Sequence, residues 1–180
     1  MGLTKQEIRQ LIRRRKAACS TEERAALSAC ITAQLQHHPR WSIAQTVLLY
    51  HSLPDEVNTH ELIQAALVQG KRVLLPVVIG DDLELRELTS SLREGAFHIL
   101  EPTGSLFTDY AAIDLAIIPG VAFTSDGRRL GRGRGYYDRL LARFIALSNP
   151  PFTLGLAFPF QLLDDLPTEP HDIRLDGILS

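Results

Sequence analysis

Phe123-Thr-Ser-Asp-Gly-Arg-Arg-Leu-Gly-Arg-Gly-Arg-Gly-Tyr-Tyr-Asp138 is the stretch on which the reading of this 180-residue chain turns. Gly127, Gly131, Gly133 and Gly135 admit backbone conformations closed to other residues and let the main chain approach a ligand closely, while Arg128, Arg129, Arg132 and Arg134 set positive charge among them. Upstream, Leu115-Ala-Ile-Ile-Pro119 is an uninterrupted apolar run of the kind a buried parallel strand carries. Downstream, Leu140, Leu141, Phe144, Ile145 and Leu147 recur at helical spacing. The order is strand, glycine-arginine loop, helix. It aims amide N–H groups and the positive end of a helix dipole at one point, and reads as a cradle for phosphates. Asp138 falls in the first turn of that helix. It either complements the helix dipole or faces the phosphates across a cation, for which magnesium is the simplest choice.

Outward from the loop, the chain alternates buried strands with helices. Thr4 with Glu7, and Ser20 with Glu23, are capping-box patterns that open two helices, one running to about Ala18 and the next ending near His37-His38-Pro39. On the first helix Lys5, Arg9, Arg13 and Lys16 form a basic comb, to be read as a solvated face unless it meets a ligand. Thr46-Val-Leu-Leu-Tyr50, a helix from about His60 to Gln69 and the strand Lys71-Arg-Val-Leu-Leu-Pro-Val-Val78 make a βαβ unit. Its loop, holding His51 and Glu56, lies at a strand carboxyl end, where open α/β sheets place ligands. Asn58 and Thr59 can cap the helix, which leaves Glu56 freer for a ligand. Leu83, Leu85 and Leu88 suggest a short, more exposed strand. Residues 95–104 show no helical period, and His98 with Glu101 there is a candidate acid/base pair or a turn. Thr153-Leu-Gly-Leu-Ala-Phe158 is a further buried strand, and the tail carries Asp172 and Asp176, either of which could join Asp138 around a metal.

Bulk properties narrow the function class. A formal net charge of -2 offers no general attraction to nucleic acid or anionic membrane, so the locally dense arginines point to a small target. An RNA-binding arginine-glycine tract would call for a wider basic field. The two cysteines, Cys19 and Cys30, lack zinc-binding spacing and suit a reducing cytoplasm. No apolar run approaches the ~20 residues that span a bilayer. The loop matches neither the Walker A pattern nor the dinucleotide G-x-G-x-x-G spacing, and no nucleophile elbow occurs. The remaining chemistry is electrostatic, centred on phosphates and a metal.

The run Pro119 to Arg139 resembles the signature of the 5-formyltetrahydrofolate cyclo-ligase family, also called methenyltetrahydrofolate synthetases. The resemblance extends to Lys5 and Arg9, to Ser52 through Glu56-Val-Asn-Thr59, to Gly70-Lys71 with Leu75-Pro76, and to Pro167 through His171-Asp172. It implies one domain over residues 1–180, in a three-layer α/β/α fold with a mainly parallel, Rossmann-like sheet. The implied reaction uses ATP and magnesium to turn 5-formyltetrahydrofolate into 5,10-methenyltetrahydrofolate, ADP and phosphate. From its charge and cysteines the chain is expected to act in the cytoplasm without nucleic-acid or membrane partners, and it is expected to be a monomer. By the same resemblance Lys5, Arg9, Arg129, Gly131, Arg132, Gly133, Arg134, Gly135, Tyr136 and Tyr137 bind ATP. His51, Glu56 and Tyr137 contact the folate, Asp138 and Asp172 hold magnesium, and Arg134 with Asp138 serves catalysis. Asp55 and Asn58 stand where many members carry glycine and aspartate.

Overall fold

The computed structural model describes residues 2–89, 92–94, 100–169 and 172–180. Two helices open it, α1 (Lys5–Ala18) and α2 (Thr21–Gln36), and both predicted capping boxes form, satisfying backbone donors that a helix start leaves without partners. A short helix α3 (Pro39–Ile43) leads into β1 (Thr46–Leu48), α4 (His60–Val68), β2 (Arg72–Ile79) and β3 (Asp82–Glu87). Next come β4 (Leu92–Glu94), β5 (Leu100–Pro102), β6 (Leu106–Phe107) and β7 (Leu115–Ile118). The hairpin β8 (Ala122–Phe123) and β9 (Arg129–Leu130), helix α5 (Tyr136–Ile145), β10 (Phe152–Leu156) and β11 (Gly177–Leu179) complete the order.

Among the described residues the main sheet has seven strands in the order β11-β10-β7-β1-β2-β3-β6. β11, β10, β7, β1 and β2 run parallel, while β3 and β6 each pair antiparallel with their inner neighbour. The parallel strands are apolar on both faces because helices cover both. Val47, Leu49, Val73, Leu75, Leu115, Ile117, Leu154 and Leu156 pack with Ile31 and Leu35 of α2 and with Leu62, Ile63 and Ala66 of α4. Leu48, Leu74, Ala116 and Ile118, at the alternate positions, pack with Leu140, Leu141 and Phe144 of α5. The three layers follow from that alternation, each fully buried leucine or isoleucine contributing roughly 1.5–3 kcal/mol.

A third cluster joins Ile8 and Ile12 of α1 to Ala122, Leu130 and Leu166, so α1 rests on the β8-β9 hairpin rather than on the main sheet. The chain departs from its sequence reading chiefly at short strands that are defined by their pairing rather than by a pattern of their own. The arginine loop holds the hairpin, Leu100-Glu-Pro102 is a strand against 92–94, and the final apolar run is an edge strand beside β10. His98 lies outside the described residues. No helix among the described residues is long and apolar enough to cross a membrane.

Candidate functional site

The sheet order reverses direction between β1 and β7. The connection from β1 proceeds outward to β2 on one side, and that from β7 to β10 on the other, leaving a crevice at the strand carboxyl ends. A cavity of about 440 Å³ opens there, within the range of small-molecule sites. Tyr50, His51, Leu53 and Glu56 line it from beyond β1, Pro76 and Val78 from β2, Pro119 and Gly120 from beyond β7, and Arg129 through Asp138 from the glycine-arginine loop and α5.

The start of α5 is built differently from those of α1 and α2, which carry capping boxes. Its N-cap is Gly135, in the left-handed region at φ 70°, and no side chain caps it. Among the described residues no side chain takes the amides of the first turn, whose residues Tyr136, Tyr137 and Asp138 line the cavity at the positive end of the dipole. Gly133, at φ 101°, is where the loop passes Arg9: a Cβ there would stand 3.5 Å from the Arg9 guanidinium.

The arginines of the loop divide into distinct roles. Arg129 is almost completely buried, its side chain 3% exposed, and its Nη2 donates to Asp138 Oδ1 at 2.5 Å. Nη1 donates to the Pro119 carbonyl at 3.0 Å, and the buried Nε has no hydrogen-bond partner among the described residues. Arg132 crosses the cavity mouth: its Nη2 donates to Glu56 Oε1 at 2.9 Å and to Asp55 Oδ1 at 3.0 Å. Arg134 lines the cavity. Arg128 is not part of the cradle. It pairs with Asp126 and Asp165 and donates to the Leu166 carbonyl, tying the hairpin to the segment behind it.

The basic comb of α1 is equally occupied. Arg9 Nε donates to the Gly131 carbonyl at 3.0 Å, Lys5 Nζ pairs with Asp172 at 3.0 Å and with Glu169 at 3.2 Å, and Lys16 Nζ pairs with Asp55 at 3.0 Å. Only Arg13 fits the solvated-face expectation. Asp138 lines the large cavity, and Asp172 an adjoining one of about 200 Å³; Arg129 lines both. Asp176 stands at the opposite end of β10, its carboxylate accepting from the Thr153 amide and hydroxyl at 2.7 and 2.8 Å.

Glu56 is held as well as presented. Its Oε2 accepts from the Leu53 amide at 2.9 Å, and its side chain is 12% exposed. Thr59 does not cap α4; its hydroxyl donates to the Tyr50 carbonyl and accepts from the Ser52 amide, bracing the loop, while Asn58 Oδ1 takes the His60 amide. His51 stacks on His60 with ring centroids 4.0 Å apart. Burial, then the neighbouring His60, holds the His51 imidazole below its ordinary pKa. Burial, then the Glu56 charge, pushes the phenols of Tyr50 and Tyr137 up, so both are neutral hydrogen-bond donors in the cavity wall. Tyr136 donates weakly to the Gly80 carbonyl at 3.4 Å.

Tyr50, Pro76 and Val78 also line the cavity and were not singled out by sequence pattern; Glu101, named there as half of a candidate acid/base pair, lines it too. The first three follow from the rule that ligands sit at strand carboxyl ends, applied to β1 and β2. Glu101 is buried on β5, while its proposed pair partner His98 is outside the described residues.

The sequence model of the 5-formyltetrahydrofolate cyclo-ligase family matches residues 2–180. A 5-formyltetrahydrofolate cyclo-ligase of Mus musculus is 31% identical over 187 residues, covering 97% of this chain and 92% of its own length. One from Escherichia coli is 32% identical over 177 residues, covering 94% and 96%. The structure of the Aquifex aeolicus 5,10-methenyltetrahydrofolate synthetase superposes with a TM-score of 0.85 at 33% identity, covering 98% of this chain and 89% of that one. That of the Mycoplasma pneumoniae 5,10-methenyltetrahydrofolate synthetase does so with 0.78 at 27% identity, covering 98% of each.

Proposed function

This chain belongs to the 5-formyltetrahydrofolate cyclo-ligase family, and from that membership we propose how its cavity carries out the ATP- and magnesium-dependent closure of 5-formyltetrahydrofolate to 5,10-methenyltetrahydrofolate. One observation carries the reading: the phosphate-cradling loop and the Glu56 carboxylate open into the same cavity, so a nucleotide and a folate bound there meet.

A formamide oxygen is a poor leaving group. Transfer of the γ-phosphoryl group to that oxygen, with ADP departing, makes it a good one. The amine at position 10 then bonds to the formyl carbon, its proton passes to solvent or a nearby base, and the carbon–oxygen bond breaks to release phosphate and the methenyl cation. The protein supplies alignment and charge compensation rather than a covalent intermediate. Arg134, Arg132, the open start of α5 and the glycines Gly131, Gly133 and Gly135 receive the polyphosphate, with Lys5 and Arg9 of α1 behind them. Glu56 accepts N–H groups of the pterin ring, while His51, Tyr136 and Tyr137 form its wall.

The residues present suit magnesium. Asp138 and Asp172 are partly exposed hard-oxygen donors on either side of Arg129, as expected of an ion that takes few protein ligands beside phosphates and water. When bound, the ion neutralises phosphate charge and acts as a Lewis acid. The free thiols Cys19 and Cys30 suit a reducing compartment and support a cytoplasmic setting.

The test is the absorbance of the methenyl product with purified protein, 5-formyltetrahydrofolate, ATP and magnesium. Product is expected only in the complete mixture. Nucleotide binding without product would reduce the protein to a phosphate-sensing module.

A further inference from the structure

Two loops distant in sequence are joined above the cavity by one nitrogen atom. Arg132 Nη2 donates to Glu56 Oε1 at 2.9 Å and to Asp55 Oδ1 at 3.0 Å, while Asp55 Oδ2 accepts from Lys16 Nζ of α1 at 3.0 Å. The nitrogen carries two N–H groups, and both are thereby committed. The N–H groups of Nη1 and Nε make no hydrogen bond among the described residues and remain for an anion. One guanidinium can thus hold a phosphate oxygen and the loop of Glu56 at once.

We propose that Asp55 is a positioning residue that couples the two halves of the site: braced by Lys16, it fixes Arg132 so that a nucleotide phosphate on the remaining N–H groups steadies Glu56 for the reduced folate. The inference rests on the cyclo-ligase reading of the cavity and deepens it. Charge supports the arrangement, because the adjacent carboxylates of Asp55 and Glu56 are matched by Lys16 and Arg132. Burial alone would raise the Asp55 carboxyl, yet Lys16 and then Arg132 hold it below its ordinary pKa. The Asp55 and Arg132 side chains are 50% and 49% exposed, and ion pairs so open to water add little to stability. The effect of Asp55 therefore belongs in ligand coupling, not in melting.

Calorimetric titration of magnesium with a non-hydrolysable ATP analogue, with and without saturating 5-formyltetrahydrofolate, reads the coupling directly. In the wild type the analogue is expected to bind about tenfold more tightly with folate present. In Asp55→Asn the ratio falls to about twofold or less, while each ligand alone stays within about threefold of wild type and the melting temperature holds. Lys16→Met removes the brace without touching the cavity and is expected to lower the ratio in the same direction, which keeps the test decisive if Asp55→Asn melts early. A wild-type ratio retained in both variants, or a wild type that binds both ligands independently, overturns the bridge. A wild type that binds the analogue and no folate overturns the cyclo-ligase reading itself.

Discussion

Arg129 is held by its surroundings rather than offered to them. Asp138 and the Pro119 carbonyl take its two terminal nitrogens, Tyr137 stands with its ring centroid 5.9 Å from the guanidinium carbon, and Nε is a buried donor without a partner among the described residues. A lysine cannot reproduce that fork. Arg129→Lys is expected to lower kcat/KM at least about 100-fold and to cost about 2 kcal/mol of stability, below the ordinary range for broken buried pairs because Asp138 is partly exposed. Turnover and denaturant melts check both, and activity within tenfold of wild type would remove Arg129 from the phosphate site. Tyr137 gives the pH prediction. Its phenol is pushed above the ordinary value of about 10, so it is protonated at neutral pH and adds no basic limb below that value. Tyr137→Phe should lower kcat/KM for the folate about tenfold while the shape of the profile between about pH 6.5 and 9 stays unchanged; a basic limb that vanishes in the variant would show the phenol ionising in that range. Residue type and spacing alone do not separate Arg128 from Arg129; only the family resemblance did, assigning Arg129 to ATP. The two are adjacent and chemically identical, and only the folded positions of Asp165 and Asp138 send one to a structural clamp and the other to the cavity.

The decisive contact between elements is α1 on the β8-β9 hairpin. Ile8 and Ile12 dock against Ala122, Leu130 and Leu166, which carries Lys5 to Asp172 and Arg9 to Gly131. Ile12→Ala is expected to cost about 3 kcal/mol through the cavity it leaves and to raise KM for ATP several-fold more than KM for the folate, because α1 borders the nucleotide side. Equal changes in both constants would contradict that assignment. The hairpin has a second anchor at its tip. Gly127, at φ 87°, donates to the Thr124 carbonyl, accepts from the Leu175 amide, and leaves no room for a side chain, since a Cβ would lie 2.2 Å from the Leu175 carbonyl oxygen. The Thr124 hydroxyl, then Arg128, holds the Asp126 carboxyl beside it below its ordinary pKa. A depressed carboxyl contributes fully above the unfolded value of about 3.9 and loses its contribution as pH falls through the folded one, so this anchor is intact at neutral pH. The helices were legible because capping boxes and periodicity are local. The hairpin was not: its short strands are defined by pairing with each other and by α1 packing over them, and its arginines read as loop charge.

Across the whole molecule, the parallel strands and their order place the chemistry. Alternating apolar residues on β1, β2, β7 and β10 build one core under α2 and α4 and another under α5, and the reversal between β1 and β7 opens the crevice between those layers. The strand-loop-helix run and the βαβ unit were readable as patterns, and the rule for strand carboxyl ends brought the Glu56 loop toward a ligand. That this loop and the arginine loop face one cavity was implied by the family resemblance but not by the residue pattern, because it depends on β7 inserting beside β1 after 66 intervening residues in the sequence. Asp114 shows how the pairing is fixed: its Oδ2 accepts from the Gln45 and Thr46 amides at 2.8 Å each, at the end of the sheet away from the cavity. If both substrates meet there for phosphoryl transfer to the formyl oxygen, that oxygen leaves with the phosphate. The direct measurement uses 5-formyltetrahydrofolate labelled with oxygen-18 in the formyl group, with mass spectrometry of the released phosphate. One labelled oxygen is expected in each phosphate formed alongside the methenyl product. Unlabelled phosphate, with the label recovered in water, would contradict it.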